Sequence, residues 1–354
     1  MLSFLYDILG IGGYMKIGID KFCIDKIDQS YDYVYLFDNT EDLDDLLKTN
    51  LHCINYKECE FVDINLSKYD VECYKKANIK DKDCYILPEF KENKIAIIIP
   101  NFNYEHTIEK CLTSILNQTY KNYEVIFVDD VSTDNSVKIA STFKKKMNIK
   151  IIELKQKRYN GGSRNEAYLH LSDDVDYIWY IDSDDWLEDE NVLDDINKKL
   201  QTRPDVVFVG MSEYKNGIET LYATPEYKDK YEAFKGWSGS CGKVIKKSLA
   251  IRPECLYNEG TLKEDRNQHR RICYYMKDFK LLKRPVYVWN RENYKSVTTI
   301  RDKVMWGTST IRHYADTLQF ALSIEGQDKE IDKILKASLE QQKDELKSGG
   351  DRQW

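Results

Sequence analysis

The chain has 354 residues, 42% of them hydrophobic, with nine cysteines and a formal net charge of -7 at pH 7. This length exceeds the usual size of one domain and the hydrophobic fraction suffices for a buried core, so we expect a catalytic domain with accessory segments. The net charge excludes a general polyanion-binding protein, and cysteines without a C-x-x-C pair argue against a disulfide framework or zinc site and predict reduced thiols in the cytoplasm.

Residues 1–93 are predicted to form a small accessory α/β segment whose role the sequence does not indicate. The opening stretch is too short and too interrupted by polar residues and glycines to span a bilayer, and we predict no transmembrane segment elsewhere. Strand patterns occur at 32–37 and 84–87, with a helix pattern at 40–48 between them. A charged linker at 88–94 marks the expected boundary.

From Lys94 the pattern changes to strands that alternate with amphipathic helices, which is typical of parallel β-α-β units. The first strand is continuously apolar, so we expect it to be buried on both faces. The predicted strands lie at 95–99, 124–128, 149–154, 176–181, 205–210 and 284–290. The principal predicted helices lie at 163–171, 189–201 and 265–277.

The tail at 301–354 is predicted to be helical. Apolar residues recur at helical spacing between residues 304 and 322, and a second, more charged helix is expected at 328–347. These helices could pair two copies of the chain in a homo-oligomer, or they could cover a neighbouring cleft. The apolar pattern does not choose between the two.

Ligands of open parallel sheets bind beyond the carboxyl ends of the strands, so residues that directly follow a strand are the first site candidates. After the first strand, a proline fixes the backbone and an aromatic ring could pack against a flat base. After the second, a carboxylate could accept hydrogen bonds from uracil or ribose. The candidates at these two strand ends are Pro100, Asn101, Phe102, Asn103, Asp129 and Asp130.

The next two strand ends add a basic and an acidic group. After the third strand, Gly162 permits close backbone approach and Arg164 could bind a phosphate. The fourth strand is followed by Asp182, Ser183, Asp184 and Asp185. Two charges about 4 Å apart repel by roughly 4 kcal/mol at an effective dielectric constant near 20, so this cluster requires a cation or open solvation. Mg²⁺ or Mn²⁺, held by one or two carboxylates plus substrate phosphates, suits it.

Taken in order, these motifs resemble the family 2 glycosyltransferases of the GT-A fold, over residues 94–300. The resemblance rests on three stretches, which are IIIPNFNYEHTIEKCLTSILNQTYKNYEVIFVDDVSTDNS, NGGSRNEA and YIDSDDW. It implies a mostly parallel, Rossmann-like α/β sheet that binds a nucleotide-diphospho-sugar through residues 94–210 and an acceptor through residues 211–300. It also implies a UDP-sugar donor, Mn²⁺ or Mg²⁺, and transfer of a hexosyl or N-acetylhexosaminyl group.

The family's residue roles can be carried over by position. The resemblance implies that Asp130 contacts uracil or its ribose, and that Asp184 binds the metal and the diphosphate. Asp182 would lie nearer the ribose or metal. Arg164 matches the arginine of the family's A-R-N stretch, although Ser163 replaces the alanine.

The resemblance also requires a base for the acceptor hydroxyl, expected in an E-D pair. Glu264 and Asp265 form such a pair, and we predict Asp265 as general base with Glu264 as a supporting acceptor-binder. An Asp with a pKa near 3.9 is a weak base, so the site must raise this pKa or take the proton late, as the C–O bond forms. If the acceptor attacks from the face opposite the diphosphate, the anomeric centre inverts. Further candidates are Asp185, Trp237, Lys243, His269, Arg291 and Ser296. For His269 the simpler interpretation is a surface residue.

Simpler interpretations exist for single motifs. Asp129 and Asp130 could belong to a helix-capping loop, and the acidic cluster could be a solvated helix start favoured by the helix dipole. Neither interpretation explains why both acidic motifs follow predicted strands and occur together with a Gly-Gly-x-Arg-Asn stretch. The alternative function is a non-catalytic nucleotide-sugar-binding or scaffold protein of the same fold. A sugar-phosphate nucleotidyltransferase is disfavoured because the first turn lacks a Gly-rich basic signature. The acceptor stays open between glycan, polymer, protein, small metabolite and modified nucleic acid.

Overall fold

The structure is a computed structural model that describes residues 91–292 and 303–347, apart from residues 238 and 263, and five strands between residues 33 and 87. Side chains are described from residue 91 onward, again without residues 303–305. Two predicted features, the helix at 40–48 and the site candidate Ser296, lie outside the described residues. The chain divides into two compact units, which are taken in turn.

The first unit contains a five-stranded antiparallel sheet. Its strands follow the spatial order β3-β2-β1-β5-β4. They are β1 (Tyr33–Leu36), β2 (Asn50–Asn55), β3 (Glu60–Asn65), β4 (Lys76–Ile79) and β5 (Lys82–Leu87). The predicted strand patterns at 32–37 and 84–87 coincide with β1 and the end of β5.

The second unit is built on a nine-stranded mixed sheet. Its strands are β6 (Ile95–Asn101), β7 (Tyr123–Asp129), β8 (Ile149–Glu153), β9 (Tyr177–Tyr180), β10 (Trp186–Leu187), β11 (Val206–Lys215), β12 (Ile218–Ala223), β13 (Lys243–Lys246) and β14 (Phe279–Asn290). They follow the order β10-β14-β11-β13-β9-β6-β7-β8, and β12 pairs with β11. The sheet therefore joins distant parts of the chain.

Helices and short turns connect these strands. The described helices are α1 (Ile108–Leu116), α2 (Ser136–Ser141), α3 (Tyr159–Tyr168), α4 (Val192–Leu200), α5 (Lys230–Lys235), α6 (Lys247–Ala250), α7 (Glu264–Tyr275), α8 (Lys303–Ile324) and α9 (Lys329–Lys347). Among them, none is both long enough and apolar enough to cross a bilayer.

The parallel part of the sheet follows from its apolar sequence. Strands β9, β6, β7 and β8 run parallel, and every residue of β6 and β7 is buried. This confirms the prediction that the first strand is covered on both faces. Helix α1 packs through apolar residues at helical spacing, such as Leu112 and Ile115. The carboxyl ends of the parallel strands consequently meet at one edge.

The other part of the sheet mixes strand directions. Strand β13 runs antiparallel to both β9 and β11, while β14 runs parallel to β11. Strand β10 follows the acidic cluster and pairs with the end of β14, where Trp186 lies opposite Val288. The pairing holds the acidic cluster against β14, a strand about a hundred positions later in the chain.

Helix α3 begins four residues earlier than predicted, so the Gly-Gly-x-Arg-Asn stretch is helical and not a turn. The reason is a distant capping group, because the Asp130 carboxylate accepts the backbone N–H groups of Arg158 at 2.6 Å and Tyr159 at 2.8 Å. A Cβ atom on Gly161 would lie 2.6 Å from the Asn258 carbonyl oxygen. Gly161 does permit a close approach of another backbone, but this backbone is that of Asn258 and not part of a ligand.

The described part of the tail, residues 303–347, is mainly helical as predicted, yet its apolar stripe faces outward. On α8, Ile311, Leu318 and Leu322 are exposed. The opposite face begins with polar residues and ends with apolar ones, and the buried residues of α8 are Ser309, Thr310, His313, Thr317, Phe320 and Ile324. Helical periodicity gave the spacing of the stripe correctly, but it could not show which face is covered.

Gly210 offers a test of the mixed sheet, because the register between β11 and β14 shifts there. A Cβ atom on Gly210 would lie 2.5 Å from the Arg284 carbonyl oxygen, so the Gly210→Ala variant must displace a strand. We expect a loss of about 1–3 kcal/mol in the free energy of unfolding, measured by urea titration. The control is Gly307→Ala in α8, where a Cβ meets nothing within 4 Å and a gain of up to about 1 kcal/mol is expected. Equal stabilities of the two variants would contradict this packing.

Candidate active site

A cleft of about 260 Å³ lies at the carboxyl ends of β6 and β9. It is lined from both parts of the sheet and by the start of α7. The structure brings eight of the predicted site residues into its wall, namely Pro100, Arg164, Asp182, Ser183, Asp184, Asp185, Glu264 and Asp265. The acidic cluster and the E-D pair, about 80 positions apart in sequence, therefore share one cavity.

Arg164 connects the two acidic groups of the cleft. Its buried guanidinium donates through Nη2 to Asp182 Oδ1 at 2.8 Å and through Nη1 to Glu264 Oε1 at 2.9 Å. Burial acts to lower the pKa of Arg164, but the Asp182 carboxylate, Tyr257 and the Glu264 carboxylate hold this pKa well above its ordinary value. Arg164 is thus a fixed cation between the acidic cluster and the E-D pair.

The E-D pair opens helix α7 in an environment that favours protonation. Burial raises the pKa of Glu264 to about 7, against the lowering effect of Arg164 and with a further increase from Asp265. Burial also raises the pKa of Asp265 above its ordinary value, opposed by Arg164 and then by Lys243. Both carboxyls are therefore better proton acceptors than free Asp or Glu would be.

The turn that carries the acidic cluster is fixed on two sides. The buried Ser183 hydroxyl donates to the Pro100 carbonyl oxygen at 2.8 Å, which ties the turn to β6. On the other side, Asp185 accepts the backbone N–H of Asn290 at 2.8 Å and the hydroxyl of Tyr287. The Tyr287 oxygen also accepts the backbone N–H of Asp182 at 3.2 Å. Asp185 consequently bonds to β14.

The carboxylates suit a divalent ion only in combination with a ligand. Among the described residues, no three His, Cys, Asp or Glu side chains form a group that could hold a metal. Asp182 and Asp184 nevertheless line the same cleft. A hard ion such as Mg²⁺ commonly takes one or two carboxylates plus substrate phosphates. The donor set therefore fits Mn²⁺ or Mg²⁺ bound with a diphosphate, and it does not fit a metal held by the protein alone.

Three other predicted residues lie outside the lining of the cleft and join the ends of β6 and β7. Asn101 Nδ2 donates to Asp129 Oδ1 at 2.8 Å, and Asp129 Oδ2 accepts the backbone N–H of Ser132 at 2.8 Å. Asn103, with a φ of 60°, accepts the backbone N–H of Thr133 at 2.8 Å. Through these bonds, Asn101, Asn103 and Asp129 hold the segments after β6 and β7 together. Their contact with a nucleotide stays a prediction.

The predicted base-binding residues lie next to one another. Phe102 is 40% exposed, and the Lys157 ammonium lies over its ring. The same ammonium is 3.5 Å from the Asp130 carboxylate. At Gly162, a side chain would collide with Arg158, so this glycine serves helix packing. Binding of a base between Phe102 and Asp130 stays a prediction.

Sequence reasoning missed two residues of β14 that belong to the site. Tyr287 holds the acidic turn, and Trp289 lines the cleft together with Trp237. The sequence did contain a signal for both residues. Alternate residues of a strand point to the same face, and positions 287 and 289 are both aromatic. The Arg291 guanidinium lies 4.2 Å from the centre of the Trp289 ring.

Two of the further candidates, His269 and Lys243, are buried. His269, expected at the surface, is 1% exposed, and its Nε2 bonds to the Ala233 carbonyl oxygen at 2.8 Å. The surface interpretation is therefore wrong, and its reason is that α7 is covered by α5. Lys243 donates to the Gly239 carbonyl oxygen at 2.6 Å, and burial lowers its pKa to about 8.

Comparison with known proteins supports the sequence resemblance. The model of the family described as Glycosyl transferase family 2 matches residues 96–285. Glycosyltransferase GlyA of Streptococcus pneumoniae serotype 4 is 35% identical over 116 residues, which are 32% of this chain and 16% of that protein. The poly(ribitol-phosphate) beta-glucosyltransferase of Bacillus spizizenii is 38% identical over 117 residues, 32% of this chain and 18% of that protein. The matched stretch thus spans less than a fifth of either relative.

Solved structures show the same fold. Residues 1–349 of S. aureus TarS in complex with UDP-GlcNAc superpose with a TM-score of 0.55 at 18% identity, covering 72% of each chain. The mannosyltransferase PcManGT of Pyrobaculum calidifontis, in complex with GDP-Man and Mn²⁺, superposes with a TM-score of 0.50 at 15% identity, again over 72% of each chain. Together with the family match, these likenesses confirm the predicted GT-A fold.

The bond between Tyr287 and Asp185 can be tested by stability measurements. Removing the hydroxyl in Tyr287→Phe deprives a buried carboxyl of a donor, and we expect a loss of about 1.5–3 kcal/mol in the free energy of unfolding. Tyr123→Phe is the matched control, because its hydroxyl donates to the neutral Ile115 carbonyl at 3.1 Å and its loss costs about 0.5–1.5 kcal/mol. Equal losses would argue against a special role for the Tyr287 bond.

Proposed function

Because the chain belongs to glycosyl transferase family 2, we propose that it is a glycosyltransferase that moves a sugar from a UDP-sugar, with Mn²⁺ or Mg²⁺, to an acceptor hydroxyl. This proposal rests on the two hydrogen bonds of Arg164, at 2.8 and 2.9 Å, which join Asp182 to Glu264 across one cleft. A donor's diphosphate and an acceptor's hydroxyl can thereby meet in the same cavity. The proposed mechanism inverts the anomeric centre.

Two observations support the nucleotide donor. An exposed aromatic ring, Phe102, lies at the end of β6 beside the buried Asp130, so a base has both a flat face and a hydrogen-bond acceptor nearby. The structural neighbours were solved with UDP-GlcNAc and with GDP-Man, both nucleotide-diphospho-sugars. We propose UDP over GDP because Asp130 matches the uracil-contacting position of the family motif.

The diphosphate would lie against the acidic turn and Arg164. Asp182 and Asp184 are the residues that would hold the divalent ion, which supplies charge neutralisation to the leaving diphosphate when bound. The Arg164 guanidinium is already in place and charged, so it stabilises negative charge on the leaving group without reorganisation. Tyr287 and Ser183 keep the turn in position through their bonds to Asp185 and Pro100.

The acceptor would lie against the E-D pair. Its oxygen forms a bond to the anomeric carbon while the bond from that carbon to the diphosphate oxygen breaks and its electron pair leaves with the diphosphate. The hydroxyl proton passes to the Asp265 carboxylate, and Glu264 orients the acceptor. Attack from the face opposite the diphosphate inverts the anomeric configuration.

The proposal extends to the acceptor, the assembly and the location of the protein. Because one relative is named a poly(ribitol-phosphate) glucosyltransferase, a hydroxyl-bearing polymer is the first acceptor to test. Pairing of two copies through the C-terminal helices would use the exposed Ile311, Leu318 and Leu322 of α8. A cytoplasmic location stays a prediction from the cysteine content.

The enzymatic proposal is tested by UDP release from a panel of UDP-sugars in the presence of Mn²⁺. We expect turnover by the native chain and a loss of about 100-fold or more in kcat for Asp184→Asn and for Asp265→Asn. By calorimetry, Asp265→Asn should retain UDP binding, while Asp184→Asn should weaken it. The control is Asp174→Asn, which removes an exposed ion pair with Lys94 and should leave turnover unchanged.

Three outcomes would contradict this assignment. Binding of UDP-sugar without any UDP release would favour the non-catalytic alternative. Unaltered transfer by either site variant would remove that residue from its role. Retention of the anomeric configuration, read from the NMR coupling of the product, would remove Asp265 as the base for a single displacement.

The pH dependence of transfer follows from the buried carboxyls. Burial raises the pKa of Glu264 to about 7 and also raises that of Asp265. A carboxyl accepts a proton only when ionised, so kcat/KM should rise with pH through a midpoint above the ordinary carboxyl pKa of about 4. Interacting carboxyls titrate as a pair, so this midpoint belongs to both.

Glu264→Gln provides an independent check on stability. An acid whose pKa is raised by folding holds its proton more tightly in the folded state, so stability falls as pH rises from its ordinary pKa of 4.5 to about 7. The difference in free energy of unfolding between Glu264→Gln and the native chain should therefore shift in favour of the variant as pH rises across this range, measured by urea titrations at several pH values. For the pH dependence of transfer, a kcat/KM of the native chain that does not change between about pH 5 and 8 would contradict the assignment of these carboxyls.

A further inference from the structure

The loop of residues 257–262 leads into the E-D pair at the start of α7. Leu262, near its end, lines the cleft. Gly260 adopts a φ of 66°, a left-handed backbone that favours glycine. The conformation of this loop therefore decides where Glu264 and Asp265 meet an acceptor.

One side of the loop is held by α3. Asn165 Nδ2 donates to the Tyr257 carbonyl oxygen at 2.9 Å, and its Oδ1 accepts the Tyr257 N–H at 3.0 Å. The Arg158 guanidinium donates to both carboxylate oxygens of Glu259, at 2.9 and 2.6 Å. Since α3 also carries Arg164, the loop is attached to the helix that contacts the acidic cluster.

The other side of the loop is held by α8, in the C-terminal tail. The backbone N–H of Leu262 donates to the Ser309 hydroxyl oxygen at 3.0 Å, and Ser309 is 1% exposed. Arg312 Nη1 donates to the Gly260 carbonyl oxygen at 2.6 Å. Two backbone groups of the loop thus find their partners on a helix about fifty positions later.

The same helix also holds α7 itself. Asn267 donates to the His313 carbonyl oxygen at 3.2 Å and accepts the Thr317 hydroxyl at 3.0 Å. Arg271 donates to both carboxylate oxygens of Asp316, at 2.8 and 2.5 Å. Both the loop and the helix that carry the E-D pair are therefore attached to α8.

The composition of α8 indicates that this attachment is specific. Its buried face is polar beside the loop and α7, at Ser309, His313 and Thr317, while the apolar Ile311 and Leu318 are exposed. Burying polar groups costs free energy unless they are hydrogen-bonded, and apolar packing alone would have placed the apolar stripe inward. Directional bonds, unlike apolar contacts, define the position of a loop.

We propose that α8 belongs to the acceptor half of the active site, with Ser309 and Arg312 as positioning residues that set the E-D pair relative to the acceptor. This rests on the proposed function in that Glu264 and Asp265 act on an acceptor hydroxyl. Displacement of a reacting group by about 1 Å can cost about 100-fold in rate. The donor is bound by the ends of β6, β7 and β9, so loss of Ser309 or Arg312 should impair kcat and spare donor affinity.

The test compares Ser309→Ala and Arg312→Ala with a matched control on the same helix. Ser323→Ala removes a hydroxyl that donates to the Phe320 carbonyl oxygen within α8. We expect kcat for transfer to fall about tenfold or more in the first two variants, with the dissociation constant for UDP and Mn²⁺ within about twofold of the native value. Arg312→Lys should recover part of the loss, because an ammonium group can still donate to Gly260. Arg312 is exposed, so its replacement should not prevent folding.

Hydrogen exchange supplies a readout that does not depend on turnover. Peptides covering residues 257–265 should exchange faster in Ser309→Ala and Arg312→Ala than in Ser323→Ala. Unchanged exchange, or turnover equal to that of the control, would overturn the positioning role. Equal losses of kcat and UDP affinity would overturn it as well, since they indicate general disruption. A native chain that releases no UDP from any donor would refute the proposed function, while faster exchange would still establish the attachment of the loop to α8.

Discussion

The contact of the buried Arg164 with Asp182 and Glu264 is the interaction on which the site depends. Two carboxylates from distant parts of the chain converge on one guanidinium that stays charged at any physiological pH. Arg164 and Glu264 are both buried, and removing one partner of a buried ion pair typically costs about 3–5 kcal/mol, because the remaining charge is left uncompensated. The acidic turn after β9 and the helix start of α7 therefore cannot move independently, and the two halves of the cleft form one unit.

The sequence predicted the parallel strands and the position of the residues that follow them, because both signals are local. Continuous apolar runs marked β6, β7 and β9, and the residues directly after such runs must lie at the carboxyl edge of the sheet. For that reason Pro100 and the acidic cluster could be assigned to one cleft before the structure. This reasoning did not find the E-D pair. Only the family resemblance identified it, because nothing in the neighbouring sequence marks it.

What the sequence did not show depends on partners far away in the chain. The early start of α3 is set by Asp130, about thirty positions before it. The buried face of α8 is chosen by hydrogen bonds to the loop before α7, so periodicity alone could not show which face of this helix is covered. Likewise, the sequence did not show the partners of Asp185 on β14, and a contact of Asp185 with a donor stays a prediction. Long-range bonding overrides local pattern at each of these places.

The charges of the cleft indicate why a metal and a nucleotide would bind together in the proposed function. Asp185 has its oxygens in bonds to Tyr287 and Asn290, and Asp182 is bonded to the positive Arg164. The negative charge that the protein can direct at a cation is therefore much less than the three aspartates in the sequence imply. A divalent ion in such a site gains most of its compensation from the diphosphate. The protein would thus hold the ion weakly by itself and strongly with its donor, which couples cation binding to substrate binding.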